Sequence, residues 1–346
     1  MAEQADPNAI NEKVLGPYLE EHVAGFTGLE SIEKFGHGQS NPTYLVKAGS
    51  GNYVLRAKPP GKLLKSAHQV DREFRVLNAL AGSKVAVPAV LHLSPEDSPI
   101  GRMFYVMEYL DGRILWDPAL SELSSNEERT AIYDAMNTTL AALHDVDIEA
   151  VGLGDFGKPG SYFARQLSRW TSQYRSSETE TIPEMDNLIV WLERELPPDD
   201  GIVSLVHGDY RLDNISFAKD RPGIIGVLDW ELSTLGHPYS DLAYQCMQWR
   251  LPHTSGFRGL GGIDREAIGI PTEEAYVEAY CRRRGISQIG NWRFYVAFSF
   301  FRIIAIIQGV YKRSLDGNAS NPERAQQMGK AVPQMAALAA ATIDKG

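Results

Sequence analysis

The sequence predicts an α+β protein with two lobes, a small lobe built on an antiparallel sheet and a larger lobe that is mostly helical. Three observations predict this division. A chain of 346 residues exceeds what one hydrophobic core usually supports. Segments with the composition of strands lie before residue 111, and segments with apolar residues at helical spacing dominate after it. We therefore expect an N-terminal lobe over residues 1–111 and a C-terminal lobe over residues 112–346.

Composition narrows the class of protein. The hydrophobic content of 43% and the charged content of 23% are typical of a globular chain. A net charge of −10 disfavours nucleic-acid and membrane-surface partners. Cys246 and Cys281 are too few for a disulfide framework, and residues 1–7 lack signal-peptide features, so we expect a cytoplasmic location. The apolar run Val296 to Val310 falls short of the roughly 20 residues that span a bilayer, which predicts a buried helix.

The first two strands predict a nucleotide-binding hairpin. Ile32 to Phe35 and Thr43 to Val46 flank a turn that contains Gly36, Gly38 and Ser40. The two glycines allow the backbone to approach phosphate groups closely, and the Ser40 hydroxyl is a further donor. Two glycines in a hairpin are also common in an ordinary turn, and that alternative stays open on these residues alone.

The remaining elements follow in chain order. The third strand is Tyr53 to Lys58, a further strand region begins at Val85, and the strand that starts at Phe104 runs into a linker near Gly112. Apolar residues at helical spacing predict the helices. These helices cover Asn11 to Ala24, Ala67 to Ala81, Asn126 to Leu143, Tyr162 to Tyr174, Met185 to Leu196, Thr272 to Arg284, Trp292 to Lys312 and Pro322 to Ile343.

The stretch with the clearest chemistry runs from Leu205 to Ile215. It places Asp209 and Asn214 five positions apart in a loop with apolar flanks, and Asp229 follows at the end of a short apolar run. Phosphoryl transfer needs an acceptor for the hydroxyl proton and oxygen ligands for Mg²⁺. Asp209 would orient the hydroxyl and accept its proton, while Asn214 and Asp229 would hold the metal. The alternative is an Asx turn at Asn214 and a helix cap at Asp229.

The order of these three side chains is similar to that in protein kinases, where an HRD loop with its Asn precedes the Asp of the DFG motif. Here Gly208 stands in place of the Arg, and Asp229 is followed by Trp230 and Glu231. With these departures the chain resembles the aminoglycoside phosphotransferase and choline kinase family, which phosphorylates small molecules. The resemblance implies a bilobal protein kinase-like fold, ATP and Mg²⁺ as cofactors, and a small-molecule hydroxylated substrate.

The resemblance also implies a phosphate-binding pair in the N-terminal lobe. Kinases place a cation on the third strand and a Glu on the next helix, and this pair steadies the α- and β-phosphates. Arg56 and Glu73 occupy these positions. Arg replaces the Lys of protein kinases, unless Lys58, two residues later on the same face, serves instead. A surface ion pair away from the nucleotide is the alternative.

The strand that ends near Gly112 would form the hinge between the lobes. In the kinase-like arrangement, backbone groups of Glu108, Tyr109 and Leu110 would bind the adenine edge, and Met107 would line the adenine pocket. Because the backbone makes these contacts, the side chains do not distinguish a hinge from a plain buried strand.

Residues around Asp209 have expected supporting roles. Many protein kinases have a Lys two residues after the catalytic Asp that contacts the transferring phosphate, and we predict this role for Arg211. An ion pair between Arg211 and Asp213 is the alternative. His207 would organise the loop by hydrogen bonding, and Asp241 matches a superfamily Asp that supports the loop, so we predict a structural role for it.

The sequence leaves more than one class of phosphate acceptor open. Lys58 to Leu64 and Asp71 to Phe74 resemble the phosphotransferase domains that in some proteins are fused to acyl-CoA dehydrogenases, which suggests a hydroxyacyl-CoA acceptor and would require a basic pocket. A cationic acceptor of the aminoglycoside or choline type is the alternative, as is a catalytically silent nucleotide-binding module, since Arg56 replaces a Lys. In this superfamily the helices before the catalytic loop build part of the acceptor site. They offer Arg165, Arg169, Trp170, Tyr174 and Trp191 as candidates.

Overall fold

An antiparallel sheet forms the centre of the N-terminal part. The computed structural model describes residues 8–36, 41–61, 68–254, 258–318 and 321–344. The strands pair in the order β1-β2-β3-β5-β4. Their bounds are β1 Leu29–Lys34, β2 Thr43–Ala48, β3 Gly51–Ala57, β4 Val90–Leu93 and β5 Phe104–Glu108.

One helix covers each face of this sheet. Helix α1 (Glu12–His22) shares a buried cluster with Leu55 of β3, and helix α2 (Val70–Leu80) shares another with the adjacent Val54. Successive side chains of a strand point to opposite faces, so adjacent residues of β3 reach different helices. The sheet is therefore buried on both sides, and α2 is held at a fixed distance from β3.

The rest of the described chain is mostly helical. Five short strands interrupt the helices and pair antiparallel as β6-β8-β9 and β7-β10. The strands are β6 Arg113–Ile114, β7 Ser204–Val206, β8 Ile215–Phe217, β9 Ile224–Val227 and β10 Thr234–Gly236. The helices are α3 Asn126–His144, α4 Tyr162–Ser177, α5 Pro183–Arg194, α6 Tyr239–Cys246, α7 Glu273–Arg284, α8 Trp292–Leu315, α9 Pro322–Gly329 and α10 Val332–Asp344. The α+β class is confirmed, and the chain passes from the large sheet into β6 at the linker near Gly112.

Helix α8 is the apolar segment that the sequence marks as buried. By length and composition it could cross a membrane, but 72% of its most apolar window is buried inside the protein. It packs against α4, α6, α9 and α10. The prediction of a core helix is confirmed.

The prediction of one helix from Pro322 to Ile343 is wrong, because the structure has α9 and α10 with a break between them. Pro333 has no N–H for the carbonyl four residues earlier, and its ring would clash with that carbonyl. That carbonyl is the one of Gly329. Gly329 also packs tightly against Tyr311, since a Cβ on Gly329 would lie 2.3 Å from Tyr311 Cγ. Pro333 is tolerated in the first turn of α10, so a new helix starts there.

Candidate active site

The loop between β7 and β8 brings Asp209 and Asn214 together. The Asn214 amide nitrogen donates to the Asp209 carbonyl and to Asp209 Oδ2, both at 2.9 Å. The other carboxylate oxygen, Oδ1, accepts from the hydroxyl of Tyr244 at 2.6 Å. Both oxygens of the candidate base therefore have a protein donor, and the carboxylate is held in one orientation.

Asp241 fixes the backbone of the same loop. Its carboxylate accepts the N–H groups of His207 at 2.6 Å and Gly208 at 2.9 Å. Burial alone would raise the pKa of Asp241, but the hydrogen bond from His144 and the neighbouring loop donors outweigh burial and lower it. This geometry agrees with the structural role predicted for Asp241.

His207 connects the loop to the strand end that carries Asp229. The Asp209 N–H donates to His207 Nδ1 at 3.2 Å, so the ring proton lies on Nε2, which donates to the Leu228 carbonyl at 2.8 Å. The Leu228 N–H in turn donates to the Asn214 carbonyl at 2.8 Å. The predicted organising role of His207 thus has a direct structural basis.

The position before the candidate base, Gly208, has no room for a side chain such as the Arg of protein kinases. Its φ is +84°, and a Cβ at this position would lie 2.6 Å from the Leu232 carbonyl oxygen. The segment after Asp229 passes directly over Gly208, so the backbone leaves no room for a side chain here.

Arg56 lies where β3, α2 and the end of β9 meet. Its Nε is 2.8 Å from Glu73 Oε2, although the N–H is not aligned as a hydrogen bond. Its terminal nitrogen lies 2.5 Å from Asp229 Oδ1 and 3.4 Å from Glu231 Oε2. Lys58 pairs instead with Glu96. The predicted Arg56–Glu73 pair is therefore present in the structure, and Arg56 rather than Lys58 contacts the candidate metal ligand.

The Glu73 carboxylate is almost completely removed from water. Its side chain is 2% exposed, and it accepts from the Asn41 amide at 2.7 Å and the Tyr105 hydroxyl at 3.2 Å. Burial raises the pKa of Glu73 to about 7, against the lowering effect of Arg56. Removing the cation would leave this carboxylate uncompensated.

Arg211 has the ion pair that the sequence offers as its alternative role. Its terminal nitrogen lies 2.6 Å from Asp213 Oδ2, and its Nε lies 3.6 Å from Asp209 Oδ2. The guanidinium thus sits between the candidate base and Asp213. Contact with the transferring phosphate stays a prediction.

The hinge segment has some of its backbone groups already paired. The Glu108 N–H donates to the Ala89 carbonyl at 2.8 Å, and the Leu110 carbonyl accepts from Gly112 at 2.9 Å. Met107 is buried in β5. Leu110 packs against the backbone of Gly226, where an added Cβ would lie 2.2 Å from Leu110 Cδ1. Adenine binding by Glu108, Tyr109 and Leu110 stays a prediction, and it would use the other backbone groups of this segment.

The glycine-rich turn is described only at its edges. Strands β1 and β2 are antiparallel neighbours, and the Phe35 N–H donates to the Thr43 carbonyl at 3.0 Å, so the predicted hairpin is confirmed. Gly36 is exposed at the end of this pair. Gly38 and Ser40 lie outside the described residues.

The residues present fit a magnesium ion that completes its shell with phosphate oxygens. In the described ranges no group of three or more His, Cys, Asp or Glu could hold a metal on its own. The Asn214 nitrogen is directed to Asp209, which leaves its amide oxygen for a cation. The Asp229 side chain, 35% exposed, lies at the end of the neighbouring strand β9. One carboxylate and one amide oxygen are hard ligands that suit Mg²⁺ bound mainly by phosphates and water.

A cavity of about 710 Å³ is lined in part by Arg211 and Tyr244, which both contact the candidate base. Its charged lining consists of Arg211, Arg258 and Arg324 with Asp213. Tyr244 forms part of its wall, and apolar side chains form much of the rest, namely Met247, Leu251, Ile303, Ile307, Met328 and Met335. The cavity is thus basic on one side and apolar on the other.

The residues predicted to contact the acceptor lie elsewhere. Arg165, Arg169, Trp170, Tyr174 and Trp191 do not line this cavity. Trp170 and Tyr174 are buried in the helical core, and Arg165 donates to two backbone carbonyls. The cavity is built instead by α6, α8, α9 and α10. Sequence reasoning misses Tyr244, Arg258 and Arg324, and only Tyr244 has a local signal, because it lies three residues after Asp241.

Fold and site together define a kinase-like phosphotransferase that acts on a hydroxyl group. Comparison with known proteins agrees with this class. A model of the phosphotransferase enzyme family APH matches residues 31–293, and the chain belongs to this family. The predicted family and the kinase-like fold are confirmed.

Several relatives are similar over most of the chain. Mouse acyl-CoA dehydrogenase family member 10 is 49% identical over 93% of the chain, and rat family member 11 is 45% identical over 89%. The chain spans only 30% and 40% of their respective lengths. A solved protein from Ralstonia eutropha JMP134, assigned to the aminoglycoside phosphotransferases, is 48% identical with a TM-score of 0.88, and the match covers 97% of this chain and 99% of that one.

More distant structures share the fold. Spectinomycin phosphotransferase, solved with ADP and spectinomycin, and choline kinase from Cryptosporidium parvum Iowa II each have a TM-score of 0.61 at 13% identity. The match covers 97% of this chain in both comparisons, with 99% of the first protein and 97% of the second.

Proposed function

We propose that the protein transfers the γ-phosphoryl group of ATP, bound with Mg²⁺, to a hydroxyl group of a hydroxyacyl-CoA. The observation that supports this acceptor most is the lining of the cavity beside Asp209. Three arginines face one aspartate there, which favours an anionic acceptor and opposes a cationic one. Arginine is also well suited to bind phosphate groups.

The apolar side of the same cavity suits an acyl chain. Ile303, Ile307 and Leu251 offer branched side chains, and burial of each methylene group contributes about 0.8 kcal/mol. Met247, Met328 and Met335 are flexible and can adapt to chains of different length. An aminoglycoside or choline would leave this wall without a matching surface.

The side chains divide the reaction between them. Asp209 accepts the proton as the acceptor O–H bond breaks and the new bond from that oxygen to the γ-phosphorus forms. The bond from the γ-phosphorus to the ADP oxygen breaks in the same step. Arg56 would steady the nucleotide phosphates, and Asn214 and Asp229 would hold the Mg²⁺, which would supply positive charge beside the phosphate oxygens.

The relatives give a second, weaker line of support. Both mammalian relatives are named for acyl-CoA dehydrogenases, and this chain matches only part of each. A kinase domain that shares a chain with an acyl-CoA dehydrogenase domain would meet acyl-CoA thioesters as substrates. We therefore place the hydroxyacyl-CoA class ahead of the cationic acceptors.

The contacts of Arg56 argue against a catalytically silent nucleotide-binding module. It rests on the replacement of a Lys by Arg56, but Arg56 contacts both Glu73 and Asp229. Family membership and a complete Asp209–Asn214–Asp229 set favour transfer activity.

A panel of acceptors tests the proposal. The protein is incubated with Mg²⁺ and ATP and with hydroxyacyl-CoA thioesters of different chain lengths, the matching free hydroxy acids, choline and an aminoglycoside. Mass spectrometry records the gain of a phosphoryl group, and ADP release is measured in parallel. We expect phosphorylation of the thioesters, and phosphorylation of choline or the aminoglycoside with none of the thioesters would overturn the proposal.

A further inference from the structure

Helix α6 contacts the catalytic loop through two side chains on one face. Asp241 and Tyr244 are three residues apart, so they lie on adjacent turns of the same side of the helix. Asp241 accepts the backbone N–H groups of His207 and Gly208, whereas Tyr244 donates to the side chain of Asp209. One helix therefore holds both the backbone and the candidate base.

The contact of Tyr244 differs from that of Tyr133 and Tyr210, two other buried tyrosines of the helical part. The hydroxyls of Tyr133 and Tyr210 donate to the carbonyls of Pro118 and Met136, at 2.6 and 2.8 Å. Such bonds satisfy a buried hydroxyl without involving the site. Tyr244 donates at 2.6 Å to Asp209 Oδ1 instead, and the same ring lines the acceptor cavity.

The surroundings keep Tyr244 as a fixed donor. Its side chain is buried, and the guanidinium of Arg302 lies 5.8 Å from its ring centroid. Burial and then the Asp209 carboxylate raise the pKa of Tyr244 well above its ordinary value, so the hydroxyl keeps its proton at working pH. Its ring and its charge state are thus both constrained.

We propose that Tyr244 is a positioning residue for phosphoryl transfer, whose hydroxyl fixes the Asp209 carboxylate so that a free lone pair faces the acceptor cavity. This inference rests on the proposed role of Asp209 as the base. A carboxylate oxygen accepts two hydrogen bonds, so Oδ1 takes one from Tyr244 and still has a lone pair for the acceptor hydroxyl. Donation from Tyr244 fixes the direction of the Asp209 carboxylate. In a loose transition state the direction of this lone pair is important, because the reaction depends mainly on positioning.

The test compares Tyr244→Phe with Tyr239→Phe, which removes a hydroxyl from the same helix but away from Asp209. Transfer to hydroxyacyl-CoA is measured, or to whichever alcohol of the panel the wild type phosphorylates. We expect Tyr244→Phe to lower kcat about tenfold or more, the effect of one hydrogen bond to a charged group. The KM values for ATP and for the acceptor should both stay unchanged. Tyr239→Phe should match the wild type in all three.

The double variant Asp209→Asn with Tyr244→Phe separates this inference from the base assignment. Residual transfer in Asp209→Asn should not fall further when Tyr244 is also changed, because Tyr244 acts through the carboxylate. Full activity of Asp209→Asn alone would refute the base, which is a failure of the proposed function. A wild-type kcat in Tyr244→Phe would overturn the positioning role, as would a higher acceptor KM at unchanged kcat.

Discussion

The guanidinium of Arg56 lies 2.5 Å from the carboxylate of Asp229, which joins the large sheet of the N-terminal part to the end of β9. The two residues are far apart in sequence, yet each is assigned to nucleotide binding on separate grounds. Arg56 also pairs with Glu73, so one cation serves a buried acid and a candidate metal ligand at once. If Arg56 contacts the phosphates and Asp229 the metal as proposed, their mutual contact must change when the nucleotide binds.

Arg56→Ala should destabilise the protein. It leaves the buried Glu73, whose pKa is already about 7, without its cation, so the group must take up a proton or stay charged. The cost is at most that of a buried pair broken from one side, about 3–5 kcal/mol. Urea unfolding measures the loss. The double variant Arg56→Ala with Glu73→Gln should recover part of it, because the uncompensated charge is gone. Equal stability of Arg56→Ala and wild type would contradict the burial argument.

Asp229→Asn should weaken the binding of magnesium nucleotide. A neutral amide is a poorer ligand for Mg²⁺ than a carboxylate, so the affinity for MgADP should fall about tenfold or more. Calorimetry compares MgADP with ADP in the presence of a chelator. The affinity for metal-free ADP should not fall, and an equal loss for both forms would argue against a metal role.

Arg324→Gln should weaken acceptor binding alone. Arg324 lines the basic side of the acceptor cavity and is exposed, so we expect a rise of a few-fold in the KM for an anionic acceptor, about 1 kcal/mol. The KM for ATP should not change. Arg313→Gln removes an exposed arginine that does not line the cavity, and serves as the matched control. The same rise in both variants would point to overall charge instead.

Gly208→Ala should destabilise the catalytic loop more than an ordinary glycine substitution. Both Gly208 and Gly82 have positive φ, where an alanine costs about 1 kcal/mol. Only at Gly208 would the new Cβ meet a backbone oxygen, at 2.6 Å, whereas Gly82 faces open space. In thermal unfolding, Gly208→Ala should have a lower melting temperature than Gly82→Ala. A similar loss in both would mean that the loop yields easily.

The contribution of His144 and His237 to stability should fall as the solution is acidified below about pH 6.5, opposite in sign to that of the buried Glu73, whose raised pKa favours the folded state in acid. Burial lowers the pKa of His144 and of His237 in the folded protein. The unfolded chain takes up protons near the ordinary value of about 6.5, so acid favours unfolding and the contribution is complete only above that pH. Melting temperatures at pH 7.5 and 5.5 test this. His144→Gln should reduce the difference between the two, and an unchanged difference would exclude His144 as a cause.

Local patterns predict much of the fold. The helix predicted from Asn126 to Leu143 is observed as Asn126–His144, because its apolar spacing is regular and Ser125 caps its first turn. The break between α9 and α10 also has a local signal in Pro333. Periodicity alone does not reveal it, since the apolar spacing continues across the break.

The acceptor cavity has no comparable local signal. Arg258 and Arg324 lie on segments far from Asp209 in sequence, and only the tertiary fold brings them to one cavity. Asp209 and Asn214 lie in the loop before β8, and Asp229 follows the paired strand β9, so the three are close in sequence and their motif is recognisable. Chemistry fixed by one loop is predictable, whereas a surface assembled from distant helices is not.

The apolar length of α8 affects how the larger lobe is completed during synthesis. When this helix leaves the ribosome, the α9 and α10 segments that cover one of its sides have not yet been made. A nascent chain halted there would present a long apolar helix to chaperones and to membranes. The last described segments therefore cover part of the core, and their loss should make the chain aggregate.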